Sequence, residues 1–139
     1  WVDLGTPESI NRSRAFFKFT PNLDQSEVIH RPWGTYKIIE KSKAYIIKEI
    51  IIFSKQSISL QFHKHRSEHW TVTDGVANVQ IAQKKLRLKK YQSTFVPAMT
   101  KHKITNKTLK PVKIIEIQQG SVLSEDDIIR LEDPYKKIR

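Results

Sequence analysis

The stretch Gln61-Phe62-His63-Lys64-His65-Arg66-Ser67-Glu68-His69-Trp70 concentrates three of the chain's five histidines around one glutamate. Four of the five histidines of the chain lie either in this stretch or at His102. On a β-strand, alternate side chains point to the same face, so Gln61, His63 and His65 would project together. This spacing predicts one amide and two imidazoles that point into the mouth of a barrel.

The residues that follow extend this pattern to a second strand. A chain reversal after His65 would start that strand, and its inward face would carry Glu68 together with Trp70, whereas His69 would point outward. His102, which follows a proline-containing turn, could contribute another imidazole from the far side. Neutral imidazoles and a carboxylate suit Zn²⁺, Mn²⁺, Fe²⁺, Co²⁺ or Ni²⁺. The alternative is a set of ordinary core and surface histidines, but the combined spacing favours a metal site.

Short β-prone runs surround this stretch, and turn residues or charged pairs separate them. They recur every 8–12 residues or so, which is typical of an antiparallel barrel or sandwich. The runs are 36–39, 45–53, 58–63, 70–73, 77–82, 86–89, 93–96, 101–106 and 112–118. Ser124 followed by three acidic residues predicts a short C-terminal helix over 124–131, and residues 11–30 are interpreted as a short helix and a linker. The expected fold is all-β: one small barrel with a short helix at each end.

Length and composition exclude several classes of protein. At 139 residues the chain is long enough for one domain with a real core, but not for two full domains. It has no cysteine, which excludes disulfides, thiolate-ligated zinc, iron–sulfur clusters and thiol nucleophiles. No apolar run approaches the length of a membrane span, and the first residues lack the pattern of a signal peptide. The cytoplasm is the expected location.

The net charge of +11 raises the question of a polyanionic partner. The lysines are spread along the whole chain, and the densest basic run, residues 84–90, alternates with Leu86 and Leu88. That alternation indicates a strand with a solvated outer face. This distribution does not favour nucleic acid as a partner, and a basic nucleic-acid-binding barrel is a third hypothesis for the function.

The spacing around Glu68 resembles the first motif of the cupin superfamily, which runs Gly, five residues, His-x-His, three or four residues, Glu, six residues, Gly. Placing His-x-His at His63 and His65 leaves one residue too few before Glu68. Placing it at Gln61 and His63 fits every interval as far as Gly75, with Gln61 in place of the first histidine. The resemblance therefore implies a metal site made by Gln61, His63, Glu68 and His102.

The second cupin motif also fits in its spacing, and it ends with Asn106, which we expect to tie a turn. Three positions where the two motifs have glycine are occupied here by Lys55, Tyr91 and Met99. Glycine adopts positive φ without steric cost, whereas other residues do not. We therefore expect rebuilt or strained turns at these three positions.

A longer set of motifs resembles the type II mannose-6-phosphate isomerase domain over about residues 31–133. In that family the cupin domain is typically the C-terminal part of a bifunctional protein that begins with a mannose-1-phosphate guanylyltransferase. The motifs are Arg31-Pro32-Trp33-Gly34-Thr35-Tyr36, Leu60 through Trp70, Ser93-Thr94-Phe95-Val96-Pro97, Ile115 through Gly120 and Glu125 through Asp133. Trp33 and Trp70 are interpreted as core residues.

The resemblance implies interconversion of mannose 6-phosphate and fructose 6-phosphate, a proton shift between C2 and C1 through an enediol, in GDP-mannose and polysaccharide precursor synthesis. Such a reaction needs a divalent metal, a base and cations for the phosphate. His65 is either an additional metal ligand or the base. Arg66, Lys101 and Arg130 are the candidate phosphate ligands, and Arg130 is also a catalytic candidate.

The opening residues 1–6 resemble the end of a sugar nucleotidyltransferase domain, in which Asp3 would help to hold Mg²⁺. We therefore divide the chain into a nucleotidyltransferase remnant and linker, 1–30, and a cupin domain, 31–139. A sugar phosphate is the expected ligand, a homodimer is the expected assembly, and a separately encoded guanylyltransferase half is a candidate partner. The alternative function is a non-catalytic cupin remnant, or an accessory or dimerisation domain of a guanylyltransferase.

Overall fold

A computed structural model describes residues 27–136 of the chain. These residues form eleven strands and one 3-10 turn of three residues. The strands are β1 (Val28–Arg31), β2 (Gly34–Lys41), β3 (Tyr45–Ile52), β4 (Leu60–Phe62), β5 (Arg66–Asp74), β6 (Ala77–Ile81), β7 (Lys84–Leu88), β8 (Ser93–Val96), β9 (His102–Thr105), β10 (Val112–Gly120) and β11 (Ile129–Glu132), with the 3-10 turn at Glu125–Asp127. The nucleotidyltransferase-like tail and the short helix predicted after it lie outside the described residues.

The strands form two antiparallel sheets that enclose one hydrophobic core. The larger sheet has the order β1-β2-β3-β10-β5-β8, and the smaller has the order β11-β4-β9-β6-β7. The larger sheet contributes Ile52, Val72 and Ile114 to the core, and the smaller contributes Val79 and Ile104. The prediction of an all-β barrel is confirmed.

Three long strands of the larger sheet alternate strictly between buried and more exposed side chains. In β3 the buried positions are Ile46, Lys48, Ile50 and Ile52. In β10 and β5 the pattern has the same period, so every second side chain enters the barrel. Glu68 and Trp70 point inward and His69 is exposed, as predicted from the sequence. The basic run at 84–90 is also as predicted, since β7 exposes its charges and buries Leu88.

Turn positions explain how the barrel forms without most of the expected glycines. Lys55, Tyr91 and Met99 have φ values of 62°, 74° and 63°, so of the two expected alternatives these turns are strained and keep the left-handed backbone. The Tyr91 amide donates to the Val72 carbonyl, and the Met99 amide donates to the His63 carbonyl. These hydrogen bonds hold the turns in place despite the steric cost of a Cβ atom at positive φ.

The predicted C-terminal helix over 124–131 is wrong. Ser124 does cap a turn, because its Oγ accepts from the Asp126 amide at 3.1 Å, but helical structure ends at Asp127. The chain then becomes β11, in which Ile129 pairs with Phe62 and Arg130 pairs with Gln61. Pairing with the open edge of β4 satisfies backbone groups that a short isolated helix would leave to solvent. Strand β1 was not predicted either.

Within residues 27–136 we find no helix with the length and hydropathy needed to cross a bilayer.

Candidate metal centre

His63, Glu68 and His102 come together inside the barrel from three different places in the chain. His63 directly follows β4, Glu68 is the third residue of β5, and His102 opens β9. His63 Nε2 lies 3.0 Å from Glu68 Oε1, and His102 Nε2 lies 3.6 Å from Glu68 Oε2. One candidate ligand atom from each residue can be chosen so that all three lie within 4.8 Å of one another. The three side chains are buried, so they form an enclosed cluster of acceptors.

Hydrogen bonds to backbone carbonyls orient both imidazoles. His63 Nδ1 lies 3.1 Å from the Asp127 carbonyl oxygen, and His102 Nδ1 lies 2.8 Å from the Thr100 carbonyl oxygen. Because a carbonyl only accepts, each Nδ1 must carry the proton, which leaves each Nε2 with a lone pair directed at Glu68. Among the described residues, Glu68 Oε2 and His102 Nε2 have no hydrogen-bond partner. These two converging acceptors are available to bind a cation.

The protonation states also suit a metal. Burial by itself raises the pKa of Glu68, but the contact with His63 and the neighbouring charges, that of Arg66 among them, bring the pKa well below its ordinary value. Burial lowers the pKa of His102, so its imidazole is neutral near pH 7. An ionised carboxylate and neutral imidazoles are the donor set that zinc and neighbouring transition metals prefer. The residues present therefore fit a divalent metal ion.

Arg66, a sequence-predicted phosphate ligand, lies against this cluster. Its Nε and one terminal nitrogen are each 3.2 Å from Glu68 Oε1, and that terminal nitrogen is 3.3 Å from His63 Nε2. The guanidinium is buried and its other terminal nitrogen is 3.4 Å from the Ser124 carbonyl oxygen. Arg66 therefore compensates one side of the Glu68 carboxylate, and a metal ion that binds His63 has to replace its contact with Nε2.

The other predicted site residues lie at different distances from the centre. Gln61 pairs with His102 on the neighbouring strand, and its Oε1 accepts from Ser59 Oγ at 2.9 Å. Arg130 pairs with Gln61 from the other side. Lys101 lines a separate surface depression rather than the cavity beside Glu68.

His65 is exposed, and the expectation that it shares a strand face with Gln61 and His63 is wrong. Strand β4 ends at Phe62. The amides of Lys64 and His65 then donate to the Asp127 carboxylate, each at 3.0 Å, which pulls the backbone out of the strand conformation. The turn ends the alternation of faces that the prediction assumed.

A cavity of about 80 Å³ adjoins the cluster, and it has room for several water molecules. Its walls carry an unusual number of polar groups for the interior of a small barrel. These groups belong to Arg31, Lys48, Ser59, Gln61, Arg66, Glu68, Glu116, Gln118, Glu125 and Arg130. The exposed side chains among them, Arg31, Glu125 and Arg130, mark the mouth.

Sequence reasoning missed Lys48, Glu116 and Gln118 as residues of this cavity. Each stands at an inward position of a strand whose other inward positions include isoleucines. The signal available in the sequence was a polar residue at an inward position of a strand that also has apolar inward residues. Burying a polar group costs free energy unless it is paired, so such a residue indicates a specific role.

Glu116 is the most perturbed of these groups. Burial and the nearby charge of Glu68 together raise the pKa of its carboxyl to about 7. Its Oε2 accepts from Trp70 Nε1 at 3.0 Å, and its Oε1 accepts from Gln118 Nε2 at 2.6 Å. The cavity therefore contains a carboxyl that can gain or lose a proton near neutral pH.

Two structural assignments from the sequence are confirmed. Trp33 and Trp70 are buried in the core. Asn106 is fully buried, and its Nδ2 donates to the carbonyls of Ile52, Phe53 and Lys110. Its role is to tie neighbouring loops, as expected.

Comparison with known proteins places these features in a family. The chain is 41% identical over 107 residues to the xanthan biosynthesis protein XanB of Xanthomonas campestris, covering 77% of this chain and 23% of XanB. It is 41% identical over 108 residues to the mannose-1-phosphate guanylyltransferase RfbM of Salmonella typhimurium, covering 78% and 22%. It is 42% identical over 107 residues to the alginate biosynthesis protein AlgA of Pseudomonas aeruginosa, covering 77% and 22%. The chain thus spans less than a quarter of the length of these relatives.

Solved structures support the fold alone, because their sequence identities are low. An RmlC-like cupin from Shewanella frigidimarina has a TM-score of 0.64 at 19% identity, covering 74% of this chain and 89% of its own. A protein with a double-stranded β-helix domain from Klebsiella pneumoniae has a TM-score of 0.67 at 14% identity, covering 83% and 98%.

A family sequence model described as mannose-6-phosphate isomerase C-terminal matches residues 20–133. The cupin barrel, the motif spacing and this match together show that the chain belongs to the mannose-6-phosphate isomerase C-terminal family.

Proposed function

We propose that this chain is a metal-dependent isomerase that interconverts mannose 6-phosphate and fructose 6-phosphate. The observation that carries the proposal is the buried cluster of His63, Glu68 and His102, in which Glu68 Oε2 and His102 Nε2 have no partner among the described residues. The cluster adjoins a cavity lined by four basic and three acidic side chains, and this excess of basic groups suits an anionic sugar. The match to the mannose-6-phosphate isomerase C-terminal family supports a sugar phosphate as the substrate.

The residues divide into groups with different tasks. His63 Nε2, the Glu68 carboxylate and His102 Nε2 would hold the metal, and Gln61 is a candidate fourth ligand from the adjacent strand. A bound divalent ion would polarise the oxygens on C1 and C2 of the sugar and so ease proton removal from carbon. The carbonyls of Asp127 and Thr100 keep both imidazoles in the tautomer that this task needs.

Proton transfer between C2 and C1 needs a base whose pKa lies near the working pH. Glu116 meets this condition, because it faces the cavity and its pKa is raised to about 7. Trp70 Nε1 holds one carboxyl oxygen, and Gln118 holds the other, so the carboxyl has a defined orientation. His65, the base candidate from the sequence, is exposed and would have to approach the substrate from outside.

The test is production of fructose 6-phosphate by the purified full chain with each divalent metal in turn, beside a chelated control. We expect turnover only with metal. Glu68→Ala should abolish it and should weaken metal binding by more than the roughly 10–100-fold typical of an outer-shell partner. Glu132→Ala is the matched control, because Glu132 is an exposed glutamate on β11. Unaltered turnover in Glu68→Ala would contradict the assignment.

The second candidate function is a non-catalytic cupin module. Arg66 favours it, since its guanidinium already compensates Glu68 Oε1 and contacts His63 Nε2 without any metal. A folded protein that binds no divalent metal and shows no turnover would support this second function over the isomerase.

A further inference from the structure

Lys48 is a charged side chain in an unusual place. It stands on the inner face of β3 between Ile46 and Ile50, and its side chain is only 8% exposed. Lysine is almost never fully buried unless it is paired, because the ammonium loses its hydration. A residue that only filled space here would be apolar, as its inward neighbours are.

The carboxylate that Lys48 meets is not part of the barrel wall. Lys48 Nζ lies 2.9 Å from Glu125 Oε1, and the Glu125 side chain is 58% exposed. Glu125 belongs to the 3-10 turn at the mouth of the cavity, and its side chain can swing out while the turn stays in place. The turn itself is anchored through Asp127, which accepts from the amides of Lys64 and His65.

The charges around the mouth favour an anion once this carboxylate leaves. Lys48, Arg31 and Arg130 line the same cavity, and Glu125 is the acidic side chain at its mouth. Lys48 Nζ also lies 4.7 Å from the centre of the Tyr36 ring, which holds the ammonium in position without neutralising it.

Lys48 and Glu68 of the metal cluster lie on the same sheet, with one strand between them. Lys48 pairs with Glu116, and Gln118 pairs with Glu68, so the two residues are two strands and two positions apart. With strands about 4.8 Å apart and a rise of about 3.4 Å per residue, their Cα atoms are roughly 12 Å apart. Both side chains line the same cavity.

We infer that Lys48 binds the phosphate of the substrate, and that the Glu125 carboxylate occupies the phosphate position until a phosphate ester displaces it. This inference rests on the proposed function for the identity of the sugar. It assigns to Lys48 and Glu125 opposite effects on affinity: one attracts the phosphate, and the other competes with it.

The experiment measures binding to the chelator-treated full chain by calorimetry, so that it does not depend on turnover. The ligands are mannose 6-phosphate, inorganic phosphate and mannose. Lys48→Met should weaken binding of mannose 6-phosphate at least tenfold, whereas Glu125→Gln should strengthen it severalfold. Mannose should bind equally weakly to all variants. If inorganic phosphate binds as tightly as the sugar ester, the site recognises the phosphate group alone, which also supports the inference.

The chain offers a matched control pair on its surface. Lys37 Nζ lies 3.8 Å from Glu49 Oε1, so Lys37→Met and Glu49→Gln change an equivalent pair away from the cavity, and neither should alter affinity. Lys48→Arg keeps the charge and should retain most of the binding. Should Lys48→Met fail to fold, Glu125→Gln decides the question, because its carboxylate is largely exposed.

Three outcomes would overturn the inference: no binding of either phosphate ligand by the unaltered chain, unchanged affinity in Lys48→Met, or weaker binding in Glu125→Gln. Each differs from failure of the proposed function. Phosphate binding that depends on Lys48 without metal-dependent turnover would reject the isomerase alone, and turnover without such binding would reject the role of Lys48 alone.

Discussion

The two halves of the barrel interior are built on the same strands but from opposite kinds of residue. Along β5 the inward side chains change from Arg66 and Glu68 to Trp70 and Val72. Along β10 they change in the reverse direction, from Val112 and Ile114 to Glu116 and Gln118. Because these strands are antiparallel neighbours, the polar residues gather in one half and the apolar residues in the other. The same strands run through both halves, so their side chains alone make one half a hydrophobic core and the other a polar site.

The contrast shows where this small domain gains and loses stability. The apolar half removes hydrocarbon from water, which favours folding. The polar half buries charges whose desolvation is only partly offset by pairing, and it leaves some acceptors without donors. The polar half can stay folded because the apolar half stabilises the barrel. A bound ligand or metal ion would pair with the acceptors that the polar half leaves without donors.

The largest expected effect is in the apolar half. Ile114 is fully buried, so Ile114→Ala should lower the free energy of unfolding by about 2–5 kcal/mol. Urea denaturation of chelator-treated protein measures this change, and the metal affinity of the folded variant should stay as it was. Ile115→Ala is the matched control, since Ile115 is the outward neighbour on β10 and is only partly buried. Equal losses in the two variants would contradict the division of the strand into an inner and an outer face.

The next effect concerns Glu116 in the polar half. A raised pKa means that the folded protein holds this proton more tightly than the unfolded chain does, so the associated stability is present below pH 4.5 and is lost as the pH rises through about 7. The shift from 4.5 to about 7 corresponds to at most about 3 kcal/mol. Glu116→Gln removes the titration, so its stability relative to the unaltered chain should improve with pH.

Unfolding in urea at pH 4.5 and pH 8, with chelator present, checks this prediction of pH dependence. The quantity to follow is the difference in free energy of unfolding between Glu116→Gln and the unaltered chain, because other groups titrate equally in both. Glu132→Gln serves as the exposed control. A difference that does not change between the two pH values would show that folding does not raise the pKa of Glu116.

The smallest change in the free energy of unfolding is expected at two turns, one in each half of the barrel interior. Tyr91 lies beside Val72 in the apolar half, and Met99 lies beside His63 in the polar half. Both have positive φ and exposed side chains, so replacement of either by glycine should raise the free energy of unfolding by about 0.5–1 kcal/mol. Ala98→Gly, at a residue without positive φ, should instead lower it. Thermal unfolding of the three variants measures the gain, and a loss at Met99 alone would mean that the polar half depends on that strained turn.

Much of the site could be predicted from the sequence, because its ligands are close together in the chain or follow a spaced motif. His63 and Glu68 lie on either side of the one turn that joins β4 to β5, and period-two alternation decides that Glu68 points inward with Trp70. His65 shows the limit of the same reasoning. Its predicted face depended on the strand continuing past Phe62, and the amides that instead donate to Asp127 bind a residue more than 60 positions away.

The C-terminal segment shows a second limit. Local capping by Ser124 was correctly read, but the helix does not continue, because pairing with β4 satisfies more backbone groups than a short helix. Non-local pairing of this kind leaves no local signal beyond a weak alternation. The same applies to β1, which gains its partner in β2.

By itself, the sequence determined the all-β class, the inward faces of the long strands and the convergence of His63, Glu68 and His102, because these depend on local periodicity and on motif spacing. Tertiary structure alone decided that Lys48, Glu116 and Glu125 share one cavity with that cluster. Lys48 is 77 positions from Glu125 in the chain, and only the pairing of β3, β10 and β5 with the turn above them brings the three charges together. Charges interact through space, so their chemistry is decided by which strands become neighbours.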